Sequence, residues 1–235
     1  MVVSHARCFS KSMNVWFGRM AGYEWPTLDQ WYFHSNVGND PRISLWHYQR
    51  GEITRIFGGY QVYFFLRNPY ERFYSHIIAH QQYNELTFPE ATRRALSPGG
   101  IKPAPMFNEV SSKILDALQP EFVDFDDIPA TLARFRETRN IDIDFETVYA
   151  RQEYIHSELV LWPGAREVPM RELNAPAPNG SKKILPTYRM LYDEETARLV
   201  YSAYSIDFEK FSYNRNFRVR NSLCTRAFAP RKTSA

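Results

Sequence analysis

Residues 64–76 read FFLRNPYERFYSH, an apolar and aromatic run that turns at Arg67 into charge and hydroxyl. Behind the apolar run stand two guanidinium groups (Arg67, Arg72), a hydroxyl (Ser75) and an imidazole (His76). The chemistry these types share is the capture of an oxyanion. Arginine offers a planar fork that matches a phosphate or carboxylate through two parallel hydrogen bonds. Arg72, Ser75 and His76 recur at i, i+3 and i+4, one face of a helix. An arginine at a strand end and a serine eight residues on can pinch one phosphate between strand and helix. The same residues also suit an ordinary surface on which the arginines are solvated or ion-paired. Spacing alone leaves both readings open.

The elements that must position this set are legible. Residues 60–66, YQVYFFL, are apolar nearly throughout, as expected of a strand buried on both faces of a parallel sheet. Asn68-Pro69 then opens a helix, Pro69 suiting its first position. Such a turn lies at the carboxyl edge of the sheet, where open α/β folds bind ligands and a helix N-terminus favours negative charge. A similar unit begins the chain: residues 2–8 form a β-type run, and Met13, Trp16, Phe17 and Met20 repeat at helical spacing until Gly22. A helix over 49–58 ends at Gly58-Gly59. Two strand–loop–helix units in series predict an α/β fold: one domain over 1–213, a mostly parallel sheet flanked by helices, with 214–235 as a basic tail.

Further along, three prolines and two glycines in 97–105 mark a loop or lid. Helices are expected at roughly 106–118, with Phe107, Val110, Ile114 and Leu118 on one face, and after Ile128-Pro129. Residues 148–162 fit helix or strand equally. A second irregular loop covers 174–183. The final helix starts near Asp193, a good N-cap, and carries Val200, Tyr204, Phe208 and Phe211 on one face. The acidic group Asp124, Asp126 and Asp127 reads as a solvated helix start.

Charge and cysteine content narrow the class of protein. Six basic residues and no acids follow Tyr213, so of the net +3 the first 213 residues carry six fewer, a net −3. The body is mildly acidic, which argues against a general nucleic-acid-binding surface. Cys8 and Cys224, near opposite ends, suggest neither a disulfide framework nor a metal site. No stretch approaches the ~20 apolar residues of a membrane span, and the first residues lack the apolar core of a signal peptide. The expectation is a cytoplasmic protein.

The segment LRNPYERFYS resembles the 3′-phosphate-binding segment of the carbohydrate-type (Golgi-type) sulfotransferases, whose pattern is Arg-(Asp/Asn)-Pro-x-x-Arg-x-x-Ser after a buried strand. Arg67, Asn68, Pro69, Arg72 and Ser75 match it in type and spacing. The segment LVYSAYSIDFEKFSY is similar to the one that ends those domains, a helix followed by Asp-Phe-x-x-Phe-x-Tyr, filled here by Asp207, Phe208, Phe211 and Tyr213. The resemblance implies a nucleotide-kinase-like, P-loop-like sulfotransferase fold. The donor it implies is 3′-phosphoadenosine 5′-phosphosulfate, with Arg67 and Ser75 on its 3′-phosphate and Arg72 supporting the turn. That family also has a 5′-phosphosulfate loop after its first strand, Pro-Lys-x-x-(Ser/Thr)-(Ser/Thr). The corresponding FSKSMNVW keeps Lys11 but has Ser10 for proline, and Asn14 and Val15 for the hydroxyl residues. Lys11, Ser12, Met13 and Asn14 are the implied contacts.

Sulfuryl transfer, like phosphoryl transfer, rests on positioning and charge stabilisation. Lys11 would neutralise charge on the leaving oxygen, and backbone N–H groups of 12–14 would assist. The acceptor hydroxyl must lose a proton, a task suited to histidine. Among six histidines His47, one helix before the Arg67 strand, is the first candidate and His34 the second. The expected acceptor is a glycan or another hydroxyl compound, with no metal. Two other readings stand beside this one: a catalytically inactive nucleotide- or glycan-binding module, which the altered FSKSMN loop favours, and a nucleotide-dependent phosphotransferase. The latter is disfavoured because no Gly-x-x-x-x-Gly-Lys-(Ser/Thr) stretch is present.

Overall fold

Tyr63-Phe64-Phe65-Leu66 have no polar face to turn to water, and the chain buries them in the middle of a three-stranded parallel sheet. The computed structural model describes residues 2–4, 48–127, 130–131, 133–134, 137, 158–173 and 184–217. In it β1 (Val2–Ser4), β2 (Tyr63–Leu66) and β3 (Glu121–Asp124) lie side by side in that order, all parallel. Ser4 pairs with Phe65 and Leu66 with Asp124, so the three strands end at one edge. Phe64, Phe65 and Leu66 are completely buried, as an interior strand requires. Pairing begins at Tyr63 rather than at residue 60. Tyr60 and Gln61 remain exposed, because Gly58-Gly59 end the preceding helix on the surface.

The helices on this sheet follow from local signals. α1 (Arg50–Phe57) precedes β2, as its periodicity predicts, and stops at Gly58, whose N–H bonds back to Thr54. After β2, the Asn68 side chain accepts the N–H of Tyr70 at 2.8 Å and Pro69 fills the first helical position of α2 (Pro69–Ala79). Nearly all of α2 is buried, which makes it the central helix. It packs against α3 (Phe88–Leu96) and α6 (Glu194–Ala203), while α4 (Glu109–Leu118) packs on α1. Asp193 caps α6 as expected, its Oδ1 accepting the Thr196 N–H at 2.7 Å.

The final helix is not continuous. At Tyr204 the backbone leaves helical geometry (φ −125°, ψ 23°), and a separate α7 (Ser205–Lys210) follows. The helical spacing still holds its purpose, since Val200, Tyr204, Phe208 and Phe211 are all buried. At the break the Tyr204 hydroxyl donates to the carbonyl of Pro103 at 2.8 Å.

A second, two-stranded parallel sheet pairs β4 (Glu158–Val160) with β5 (Ile184–Pro186), and α5 (Met170–Leu173) lies between them in the chain. Of the ambiguous stretch 148–162, residues 158–160 are therefore strand. The expected helix over 13–20, the continuation of the first strand to residue 8 and the loop 174–183 lie outside the described residues. Packing continues past Tyr213: Phe217 is buried against Tyr70 and Tyr192, with ring centroids 6.2 and 6.1 Å away. Among the described residues no helix is long and apolar enough to cross a membrane. The described chain is thus an α/β protein with helices around a small parallel sheet.

The Pro/Gly-rich stretch 97–105 is irregular, as read from its composition, but buried groups hold it along its length. The Ile101 carbonyl accepts the Tyr83 hydroxyl at 2.7 Å and lies 3.1 Å from Nε2 of the buried His76. Pro103 receives Tyr204, and Ala104 receives Arg72. The N–H groups of Met106 and Phe107 then donate to the two oxygens of Asp207 at 2.9 and 2.7 Å. It behaves as a strap across the helices.

Candidate functional site

Arg67 is the first residue beyond β2, at the edge where all three strands end. β2 and β3 end together at Leu66 and Asp124, so Arg67 and Phe125 are the next residues of the chain beyond the same sheet edge. The guanidinium carbon of Arg67 lies 4.3 Å from the centroid of the Phe125 ring, and Nε lies 3.7 Å from a carboxylate oxygen of Glu71, one helical turn on. The Arg67 side chain is 19% exposed, so its charge is held at the surface rather than sunk in the core.

The motif divides into two groups around α2. Ser75 is half-buried in the second turn, while Arg72 and His76 face inward and are buried. Arg72 leaves the anion constellation altogether. One of its nitrogens lies 3.7 Å from Asp207, another donates to the Ala104 carbonyl, and both charged side chains are essentially inaccessible. These partners belong to the strap and to the C-terminal segment. His76 is equally committed, to the Ile101 carbonyl, and its ring lies against that of His80 with centroids 4.1 Å apart. Arg67 and Ser75 lie on either side of the turn that leads from β2 into α2. They are placed by their elements, one at the sheet edge and one on the helix that follows it.

Asp207 belongs to the C-terminal segment, and its partner Arg72 to the segment after β2. The two sequence motifs therefore meet in the interior. Tyr70 stacks edge-on against Phe208 at 5.0 Å, and Phe64 lies 5.9 Å from Phe211. Burial pushes the Asp207 carboxyl above its ordinary range, against the opposing pull of the Phe107 and Met106 N–H groups and of Arg72. Burial likewise drives the phenols of Tyr70, Tyr74 and Tyr204 far upward, the nearby Arg67 charge opposing it at Tyr74. These hydroxyls stay protonated, as donors to the carbonyls of Arg215, Pro186 and Pro103 require.

Lys11, Ser12, Met13 and Asn14, with the histidines His34 and His47, lie outside the described residues. What is described is the point where their segment begins: the chain leaves β1 at Ser4, beside Phe65, on the same edge as Arg67. Two residues of that edge are misjudged from sequence. Asp124 is buried at the end of β3 and is no solvated helix start; a short 3-10 turn, Phe125–Asp127, follows it. Phe125, set among acids, gives no signal at all until the paired strands bring it to the edge where Arg67 stands. No protein-family model, no curated protein and no solved structure matches this chain.

Proposed function

We propose that this chain is a sulfotransferase with a nucleotide-kinase-like α/β fold, acting on a hydroxyl acceptor, a glycan in the first instance. The observation that carries the reading is the buried contact between Arg72 and Asp207, which joins the two segments whose patterns resemble that family. Two unrelated coincidences of sequence have no reason to meet in the core. The placement of Arg67 at the carboxyl edge of the parallel sheet supports the same reading.

The donor, 3′-phosphoadenosine 5′-phosphosulfate, would supply a sulfuryl group on a good leaving phosphate. Arg67 and Ser75 would hold its 3′-phosphate by charge and hydrogen bond. Lys11, with Ser12, Met13 and Asn14, would receive the 5′ end, and Lys11 would offset charge on the leaving oxygen. His47, or failing it His34, would take the acceptor proton.

The test separates nucleotide recognition from turnover. Adenosine 3′,5′-bisphosphate should raise the melting temperature of the protein by mass action, and ATP should do so little. Arg67→Ala should weaken the bisphosphate while sparing adenosine 5′-phosphate. Equal stabilisation by the bisphosphate and ATP would overturn the reading. Bisphosphate release from the donor, followed across a panel of glycan acceptors, then tells an enzyme from a binding module, which would bind nucleotide and yield no product.

A further inference from the structure

The described site holds Arg67 in a way that oxyanion binding alone does not require. A guanidinium on a three-carbon stem at a sheet edge has several rotamers, and fixing one of them costs entropy each time an anion binds. Here the group is fixed beforehand on two sides. The Phe125 ring lies under it at 4.3 Å, and Glu71 lies beside Nε at 3.7 Å. A cation over an aromatic face is attracted electrostatically without using a hydrogen-bond donor. The ring therefore constrains the plane of the fork without itself taking an N–H group. The Glu71 carboxylate lies on the Nε side at 3.7 Å, a charge proximity of the i, i+4 kind that any helix surface provides. The ring belongs to a different element, the 3-10 turn Phe125–Asp127 that follows β3.

We infer that Phe125 is a positioning residue for Arg67, holding the guanidinium plane at the sheet edge so that an oxyanion is met by an arranged fork. The inference rests on the reading of Arg67 as an anion-binding residue. It extends that reading to the 3-10 turn after β3, which neither sequence motif includes. Phe125 touches the arginine, and need not touch the ligand.

The test uses the full chain and two probes. Phenylglyoxal modification of Arg67, followed by peptide mass spectrometry, reports how firmly the guanidinium is held and whether inorganic phosphate covers it. In the wild type, phosphate should slow modification of Arg67. In Phe125→Leu, modification without phosphate should be several-fold faster and the affinity for phosphate about 2–30-fold weaker, the range of one cation–aromatic contact. Phe125→Trp should restore both, which a purely steric role for Phe125 would not require. Equal behaviour of Leu and Trp variants would overturn the inference, as would wild-type Arg67 that phosphate leaves unprotected. The second probe compares adenosine 3′,5′-bisphosphate with adenosine 5′-phosphate: Phe125→Leu should lose affinity for the first only. If phosphate protects Arg67 through Phe125 but the two nucleotides bind alike, the nucleotide reading fails and the positioning role stands. A Leu variant that fails to fold is recognised by circular dichroism, and the Trp variant together with Phe125→Tyr then carries the comparison: both should match the wild type, and a loss of protection in either refutes the role.

Discussion

Replacing Arg72 by leucine tests the meeting of the two motifs most directly. Arg72 and Asp207 are 2% and 0% exposed, so removing the cation strands a carboxylate in the core. Breaking a buried pair from one side costs about 3–5 kcal/mol. For a chain of this size that corresponds to a melting temperature lower by about 6–20 °C. The Met106 and Phe107 N–H groups remain on Asp207, which places the expectation toward the lower half of that range. The cost should also depend on pH, with a sign fixed by the carboxyl. Burial already holds its folded value above the unfolded one, and Arg72 is among the forces opposing that rise. Without Arg72 the folded value climbs further. A group with a raised folded value is fully accommodated below its unfolded value and loses that stability as pH rises through the folded one. Both proteins should therefore lose stability together until the pH passes the wild type's folded value, and the variant should fall behind only between that value and its own higher one, by at most about 1.4 kcal/mol per pH unit. Urea titrations of both proteins at several pH values read this out. Asp207→Asn serves as the control, since it is destabilising with no such slope, and the double variant should be less impaired than the sum of the two. A cost under about 1 kcal/mol at neutral pH, or one that ignores pH, refutes the buried pair.

Asn68→Ala removes the acceptor for the Tyr70 N–H and should lower stability by about 0.5–2 kcal/mol in the same titrations, with Asn68→Asp retaining the cap. Lys11→Ala should leave bisphosphate affinity only modestly lower but cut turnover by about 10²–10³ in the product assay, because its contact strengthens in the transition state. His47→Ala should spare nucleotide binding and cost about 10²–10⁴ in rate; if His34→Ala does so instead, the base moves there. Hydrogen bonds from Thr87 hold Glu90 below its ordinary value, and Arg93 does the same for Glu195; Asp193, though burial opposes it, is held low by Thr196. Depressed values give stability that is present above the unfolded carboxylate range and lost as pH falls through the folded values. Acidification below about pH 4 should therefore speed amide exchange in α3 and α6 before it does so in β2.

Much of the fold could be read from signals confined to a few residues. Asn68-Pro69 and Asp193 announce their helices because capping is local chemistry, and β2 is recognisable because a strand buried on both faces has no room for polar residues. The break at Tyr204 is invisible for the opposite reason. No glycine or proline marks it, and the helical spacing runs straight across it. β3 has too few apolar residues to show a period, so the pairing that buries Asp124, and with it the approach of Phe125 to Arg67, exists only in the assembled sheet. Of the candidate site, Arg67 and Ser75 were legible as a pattern. Arg72 was legible as part of that pattern, and its partner Asp207 was in view without any sign that the two touch.

The strap at residues 101–107 has a consequence for the order in which the protein is made. The backbone N–H groups of Met106 and Phe107 find their acceptors on Asp207, 101 and 100 residues further along the chain. The Pro103 carbonyl likewise waits for Tyr204, 101 residues on. At ~5–20 residues per second of synthesis, this segment leaves the ribosome on the order of 5–20 s before the side chains that hold it. Arg72, made earlier still, spends that interval as a cation without its carboxylate. The nascent chain can build β2 and α2 from local signals, but it cannot close the strap. Ribosome-bound chains stalled before residue 204 should thus be cleaved by protease within 97–107, and chains stalled long after Phe217 should resist.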